Sequence, residues 1–125
     1  MNVPENLKFT KDHEWIKVEG SEALIGITDY AQSELGEIVF VELPAIGESK
    51  EKEKVFGTVE AVKAVSDLFM PVSGKVLSVN AKLEAQPELI NEDPYESGWM
   101  IQVALLDPLE LDSLMNAEQY AAFIQ

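Results

Sequence analysis

Residues 55–70 read VFGTVEAVKAVSDLFM and hold a single lysine, Lys63, between two stretches of β-type residues. Every second residue from Val55 to Val62 belongs to one face, which predicts a strand. That face comprises Val55, Gly57, Val59 and Ala61. Ala64 to Met70 continues in residues of the same type and predicts the returning strand. A hairpin built from these strands presents the Lys63 amine on a protruding turn, away from other cations.

More strands are predicted on both sides of this hairpin, because apolar and polar residues continue to alternate. They cover residues 14–18, 23–27, 37–42, 75–79 and 99–105. Residues 19–22 join the first two of these strands as a turn. Thr28 can cap a short helical turn through Leu35, and Gly36 follows where that turn ends. The mixed-charge run from Ser49 to Lys54 predicts a solvated connection.

Helix signals are concentrated near the C-terminal end. Asp107 is followed three residues later by Glu110, with a proline between them at the first helical position, and this pattern resembles a capping box. Asn116 and Gln119 repeat the spacing. We therefore predict a C-terminal helical segment over about residues 108–124.

Composition excludes several classes of function. The 125 residues carry a formal net charge of −14 and fit one domain, residues 1–125. Every basic residue is a lysine, so the chain lacks the arginine forks that bind phosphate. Because the net charge also repels a nucleic-acid backbone, nucleic-acid binding is excluded. Acidic residues continue beyond Lys82, the last lysine, where they serve either solubility or electrostatic steering of basic partners.

Reactive side chains are scarce in this chain. It has no cysteine and one histidine, His13, which excludes disulfides, thiolate nucleophiles and multi-histidine metal sites. The sequence shows no nucleophile triad and no glycine-rich phosphate loop. It also lacks an apolar run long enough to span a bilayer and the apolar core of a signal peptide. We therefore expect a soluble protein, not an enzyme, that borrows a reactive group, with Lys63 as the candidate anchor.

Several sequence blocks occur in an order that is typical of one family. Residues 60–67, EAVKAVSD, resemble the lipoylation motif of the glycine cleavage system H proteins, with Ala61 in place of the usual serine. The other matching blocks are His13-Glu14-Trp15, Gly26–Gln32, Leu35–Pro44, Pro71–Gly74 and Asn91–Met100. Together the blocks extend over roughly residues 7 to 124.

This resemblance implies a mainly β fold of the lipoyl-domain type. Such a fold is a flattened barrel or sandwich of two antiparallel sheets, with short helices and a C-terminal helix. The resemblance also implies that Lys63 carries lipoate as an amide on its side-chain nitrogen, so that the cofactor supplies the reactivity and the protein delivers it. The implied function is that of a lipoyl carrier of the glycine cleavage system, in glycine catabolism and one-carbon metabolism.

The implied partners are three enzymes of that system, together with the enzymes that attach lipoate. A pyridoxal-phosphate glycine decarboxylase loads an aminomethyl group onto the swinging arm, and an aminomethyltransferase passes its carbon to tetrahydrofolate. A flavin dihydrolipoamide dehydrogenase then reoxidises the dithiol. A carrier that visits several enzymes is most simply a monomer. We expect it in the bacterial cytoplasm, or in the mitochondrial matrix if this is a mature eukaryotic chain.

Other carrier classes stay open on the residues alone. A biotinyl carrier usually flanks its lysine with methionines, whereas Val62 and Ala64 stand here. A lipoyl domain of a 2-oxoacid dehydrogenase complex typically has aspartate directly before the lysine and a long linker. The remaining alternatives are a relay protein that donates lipoyl groups to other lipoate-dependent complexes and an interaction domain with an unmodified lysine.

Four acidic residues are candidates for roles around the arm. Glu60, three residues before Lys63, is the candidate recognition element for the lipoylating enzyme. The family is similar in folding its loaded arm back onto the protein, where a carboxylate in a partly dry cleft can hold the amine protonated. Glu14 and Asp67 are the candidates for this protection, and Asp12 is a third choice. The alternative is that these groups are merely solvated carboxylates.

Overall fold

The computed structural model describes all 125 residues, Met1–Gln125, as two antiparallel sheets with short helices. The strands are β1 Lys8–Phe9, β2 Glu14–Glu19, β3 Glu22–Ile27, β4 Ile38–Glu42, β5 Ser49–Lys50, β6 Val55–Ala61, β7 Val65–Phe69, β8 Gly74–Val79 and β9 Ile101–Leu105. The α-helices are α1 Asp29–Leu35, α2 Lys82–Ala85, α3 Leu89–Glu92 and α4 Ala117–Phe123, and a 3-10 helix covers Pro108–Ser113.

The two sheets differ in size. The larger sheet has six strands in the order β1-β2-β3-β9-β8-β5, and the smaller has three in the order β4-β6-β7. The central strand of the smaller sheet, β6, forms a hairpin with β7 and also pairs with β4. The predicted class, mainly β with two antiparallel sheets, short helices and a C-terminal helix, is confirmed.

The main hydrophobic core joins the two sheets face to face. Most of its 16 buried residues come from the two sheets, and α2, α3 and the connecting segments supply the rest. Ile25 and Ile101 of the larger sheet are fully buried, and Val59 and Leu68 of the smaller sheet are almost so. Burying each such side chain contributes about 1.5–3 kcal/mol relative to leaving it in water.

A second, smaller core attaches the C-terminal segment to the start of the chain. It consists of Leu7, Phe9, Trp15, Ala117 and Tyr120. The Phe9 and Tyr120 rings are stacked with their centroids 4.6 Å apart. Beside them, Phe9 and Met115 exchange two backbone hydrogen bonds, of 2.8 and 2.9 Å. The segment between the 3-10 helix and α4 is thereby paired with β1 through an antiparallel bridge between Met115 and Phe9.

Two strand predictions are wrong in detail. The run from Ser49 to Lys54 is not wholly a solvated connection, because Ser49 and Lys50 pair with β8. An edge strand leaves one side in water, so charged residues do not prevent this pairing. Val55 does not share the buried face of β6: it is 41% exposed, while Phe56 is 3% exposed. A register shift between Val55 and Gly57 displaces the alternation by one residue.

The predicted C-terminal helical segment consists of the 3-10 helix and α4, separated by an extended stretch. The capping box predicted at its start is wrong. Asp107 does cap, accepting a hydrogen bond from the Leu109 amide, but the Glu110 carboxylate instead accepts two hydrogen bonds from Ser73, at 2.7 and 2.9 Å. The second predicted box, Asn116 with Gln119, is confirmed.

Candidate functional site

Lys63 lies at the tip of the β6–β7 hairpin. The Ala61 amide donates to the Ala64 carbonyl at 2.7 Å, so Val62 and Lys63 alone form the loop. Both loop residues are exposed, and Val62 retains 72% of its accessible surface. The one ion pair of the structure joins other residues, Lys50 and Glu48. The Lys63 amine is therefore accessible and unpaired.

Backbone contacts fix the position of this loop. The Val62 amide donates to the Glu37 carbonyl at 3.0 Å. Gly36, the residue before Glu37, has a φ of +81°. It borders the Lys63 side chain: a Cβ added to Gly36 would lie 3.4 Å from Lys63 Cε. The Asn91 side chain donates to the Gly36 carbonyl at 2.8 Å. The loop is thus anchored through its main chain, and the lysine nitrogen stays free.

A cavity of about 380 Å³ lies beside the opposite end of the hairpin. Three parts of the chain form its walls: the turn from β1 to β2, the base of the hairpin and the C-terminal segment. Its lining residues include Thr10, Asp12, Glu14, Lys52, Glu53, Met70, Pro71, Leu114, Met115 and Phe123. Strand β7 therefore connects the lysine turn with the edge of the cavity.

Glu14 is the buried carboxyl group of this cavity, with an exposure of 2%. Its Oε1 accepts a hydrogen bond from the Thr10 hydroxyl at 2.7 Å, and its Oε2 accepts one from the Phe69 amide at 3.2 Å. Burial raises the pKa of Glu14 to about 8, although both hydrogen bonds lower it. An entering cation would favour the ionised form. This burial excludes a merely solvated role for Glu14.

The other predicted residues lie in different surroundings. Asp12 is exposed and lines the cavity, where its charge adds to the pKa rise at Glu14. Asp67 is exposed on β7, opposite Thr58, and does not line the cavity. Glu60 is exposed on β6 in the smaller sheet. The structure therefore brings Asp12 and Glu14 together and leaves Asp67 outside this wall.

Sequence reasoning missed a buried hydrogen-bond chain behind the cavity. The Tyr120 hydroxyl lies 2.8 Å from His13 Nδ1 and 2.7 Å from the Thr28 hydroxyl. Burial lowers the pKa of His13 and raises that of Tyr120 to about 12, which favours the neutral form of both groups. These hydrogen bonds connect α4 with His13, the residue that precedes Glu14. The residues they join are far apart in sequence, so no local spacing could indicate them.

A two-sheet β fold that presents one free lysine on a two-residue hairpin loop defines a carrier domain of the lipoyl type. Residues 7–125 match the family model described as "Glycine cleavage H-protein". The chain belongs to this family.

Individual relatives agree with the family match. The glycine cleavage system H protein of Halothermothrix orenii is 54% identical over 125 residues, which cover 100% of this chain and 98% of the relative. That of Bacillus cereus is 55% identical over 121 residues, covering 97% and 95%. The crystal structure of such a protein from Mycobacterium marinum is similar with a TM-score of 0.84 and 36% identity, covering 96% of this chain and 97% of that one.

Family membership establishes the function at the level of the system. The chain is a lipoyl carrier of the glycine cleavage system, and members of the family hold lipoate covalently on a lysine. The predicted function, cofactor and lipoyl-domain-type fold are confirmed. None of the helices is both long and apolar enough to cross a bilayer.

Proposed function

We propose that Lys63 is the lysine that carries the lipoyl group. The observation that carries this proposal is the free amine on the two-residue loop of the β6–β7 hairpin, since Lys63 forms no ion pair and its loop is anchored through the backbone. These features suit attachment of an acyl arm that has to reach other proteins. Lipoate supplies the dithiol chemistry that takes up and releases the aminomethyl group.

Intact mass tests the attachment site. Wild-type protein from a host that attaches lipoate is expected to carry one lipoyl group, and Lys63→Arg none. Lys75→Arg is the matched control, because Lys75 is an exposed lysine on β8 that lies outside the hairpin. Lipoyl mass on Lys63→Arg would overturn the assignment, whereas a biotinyl mass on the wild type would favour a biotinyl-type carrier.

We infer that the cavity around Glu14 receives the loaded end of the arm. Burial keeps the Glu14 carboxyl group largely protonated near neutral pH, since its pKa is about 8. An amine that enters takes up this proton and becomes an ammonium ion paired with the Glu14 carboxylate. A protonated nitrogen has no lone pair with which to expel the neighbouring sulfur. Asp12 at the cavity and Asp67 on β7 are the additional candidates for this protection.

Decay of the loaded arm tests this role. In the absence of the transferase, Glu14→Ala is expected to accept lipoate and load normally, and then to release ammonia and formaldehyde faster than wild type. Asp67→Ala and Asp12→Asn measure the contributions of the other candidates. Glu84→Ala is the control, because Glu84 is an exposed carboxylate on α2. A wild-type decay rate in the Glu14→Ala, Asp67→Ala double variant would contradict the role of the cavity.

We propose that the monomeric carrier visits glycine decarboxylase, the aminomethyltransferase and dihydrolipoamide dehydrogenase in a bacterial cytoplasm. Family membership and the bacterial relatives support this proposal.

Glu60 is the proposed recognition element for the lipoate-attaching enzyme, since it is exposed on the hairpin and its cross-strand neighbours are Phe40 and Val65. Glu60→Gln is expected to lower kcat/KM of lipoylation, and the exposed control Glu42→Gln is not. Equal values for both variants would contradict the proposal.

A further inference from the structure

Thr10 lies in the turn that leads from β1 into β2, at the wall of the cavity. Its hydroxyl oxygen accepts hydrogen bonds from the backbone amides of Asp12 and Glu14, each at 3.2 Å. A hydroxyl group has two acceptor positions and one proton. Because both acceptor positions are filled, the proton of Thr10 is left for a third group.

That third group is the Glu14 carboxyl. Its Oε1 lies 2.7 Å from the Thr10 hydroxyl oxygen, the usual length of a hydrogen bond from a hydroxyl to an oxygen acceptor. The Phe69 amide donates to the other carboxyl oxygen at 3.2 Å. The two donors, one on each carboxyl oxygen, restrict the orientation of the carboxyl group. Each oxygen keeps a further acceptor position for an amine that enters the cavity.

We propose that Thr10 is the positioning residue of this cavity: its hydroxyl fixes the Glu14 carboxyl group and favours the ionised form that pairs with an amine. The proposal rests on the proposed role of Glu14 toward the loaded arm. Thr10 itself does not need to contact the arm. It acts through the geometry and the proton affinity of Glu14.

Charged groups on several elements share this environment and have to be held constant in the test. Those that line the cavity or couple to Glu14 are Lys11, Asp12, Lys52, Glu53 and Tyr120. None of them donates a hydrogen bond to the Glu14 carboxyl oxygens, whereas Thr10 does. Substitutions at Thr10 change none of these five side chains. Thr10→Val removes both the donor to Glu14 and the acceptor of the Asp12 and Glu14 amides, whereas Thr10→Ser keeps both.

Titration of Glu14 in the protein without lipoate tests the proposal independently of the arm. The carboxyl carbon of Glu14 is followed by NMR in wild type, Thr10→Val and Thr10→Ser. Loss of the donor in Thr10→Val is expected to raise the pKa of Glu14 by about one, since it removes a hydrogen bond to the charged form. Thr10→Ser keeps the hydroxyl and is expected to titrate like wild type. Equal pKa values in all three proteins would overturn the proposal.

A second measurement on wild-type protein covers the case in which Thr10→Val does not fold. A hydroxyl proton held in a short hydrogen bond exchanges slowly with water and gives an observable proton resonance. We expect such a resonance for Thr10 at a pH above the Glu14 transition and a change in its position through that transition. A Thr10 hydroxyl resonance that is absent at this pH, or that does not respond to Glu14 titration, would contradict the proposal.

The loaded carrier distinguishes this proposal from the one on which it rests. If Thr10→Val and Glu14→Ala both decay faster than wild type and Thr10→Ser does not, both proposals stand. If Glu14→Ala decays like wild type, the protective role of Glu14 is wrong, whatever the titration shows. If Glu14→Ala decays faster than wild type but Thr10→Val decays at the wild-type rate, the positioning role of Thr10 is wrong.

Discussion

The two ends of the β6–β7 hairpin differ in the burial and hydrogen bonding of the ionisable side chain that lies there. At the tip, Lys63 is exposed and unpaired, and main-chain contacts alone fix its loop. At the base, Glu14 is buried, and both of its carboxyl oxygens are hydrogen-bonded. The two non-glycine residues with positive φ, His13 at 67° and Glu53 at 72°, also lie at or beside this cavity. Such conformations persist only where the surroundings hold them.

This difference shows how one domain combines an exposed, unpaired lysine with a buried, hydrogen-bonded carboxyl group. The tip is free to change chemically because no side-chain interaction depends on the charge of Lys63. At the cavity, by contrast, burial raises the pKa of Glu14, so we expect a change of charge on Glu14 to alter the stability of the domain. The proposed modification site and the proposed protective cavity thereby lie at opposite ends of a single hairpin.

The largest effect is expected from Lys63→Arg, which keeps the charge and removes the acylatable amine. Glycine decarboxylation and exchange supported by the carrier should fall to background. Because the Lys63 nitrogen has no ion pair, the free energy of unfolding should stay within about 0.5 kcal/mol of wild type. Exchange assays and urea unfolding of the same preparation measure both quantities. A substantial loss of stability would show that the tip is not chemically independent of the fold.

Glu14→Gln is expected to change the pH dependence of stability. The pKa of Glu14 rises from 4.5 to about 8 on folding, so protonation stabilises the native state fully below pH 4.5 and this contribution is lost as the pH rises to about 8. Relative to the glutamine variant, the wild type should therefore lose a few kcal/mol over this interval. Urea unfolding at several pH values measures the difference. Parallel curves for the two proteins would contradict it.

Tyr120→Phe is expected to loosen the C-terminal wall of the cavity. It removes the hydroxyl that joins His13 and Thr28; His13 Nδ1 loses its partner, while the Thr28 hydroxyl keeps only the bond from the Ala31 amide, and such a loss costs about 1–3 kcal/mol. Amide exchange at Phe9 and Met115 should also become faster. Tyr30→Phe is the matched control, since the Tyr30 ring contacts His13 and its hydroxyl joins no hydrogen bond of the structure. Equal losses of stability in both variants would refute the role of the His13–Tyr120–Thr28 hydrogen bonds.

The smallest effect concerns the acidic residues beyond Lys82, where no lysine occurs. If these residues steer the carrier toward glycine decarboxylase, the association rate constant should fall several-fold as salt is raised through the physiological range. Dissociation should change less. Stopped-flow association at several salt concentrations measures the effect. A rate constant that does not depend on salt would leave only the solubility role.

The sequence predicted those parts of the molecule that depend on neighbouring residues. The hairpin around Lys63 is predicted from alternation before the lysine and β-type residues after it, and the helix cap at Asn116 from a spacing of three. Both features are local, so a short window of sequence contains the residues that form them. The lysine was identified as an anchor for the same reason.

The features that sequence reasoning missed depend on distant residues. Glu110 has the spacing of a capping box, but Ser73 offers it two donors from another part of the chain. Glu14 was identified as a candidate, but its burial depends on Phe69 and the C-terminal wall. Asp12 ranks behind Asp67 in the sequence because its position lies outside the matching motif blocks, whereas in space Asp12 is the residue that lines the cavity with Glu14.

The pairing of Phe9 with Met115 has a consequence for the order of folding during synthesis. Strands β4, β6 and β7 pair within residues 38–69, so the lysine hairpin can form while the ribosome is still adding the rest of the chain. The cavity has to wait for residues 115–123, which complete its wall. We therefore expect the Lys63 hairpin to be structured before the cavity is complete. A nascent chain would then be ready for acylation at Lys63 before it is able to bind an aminomethyl group in the cavity.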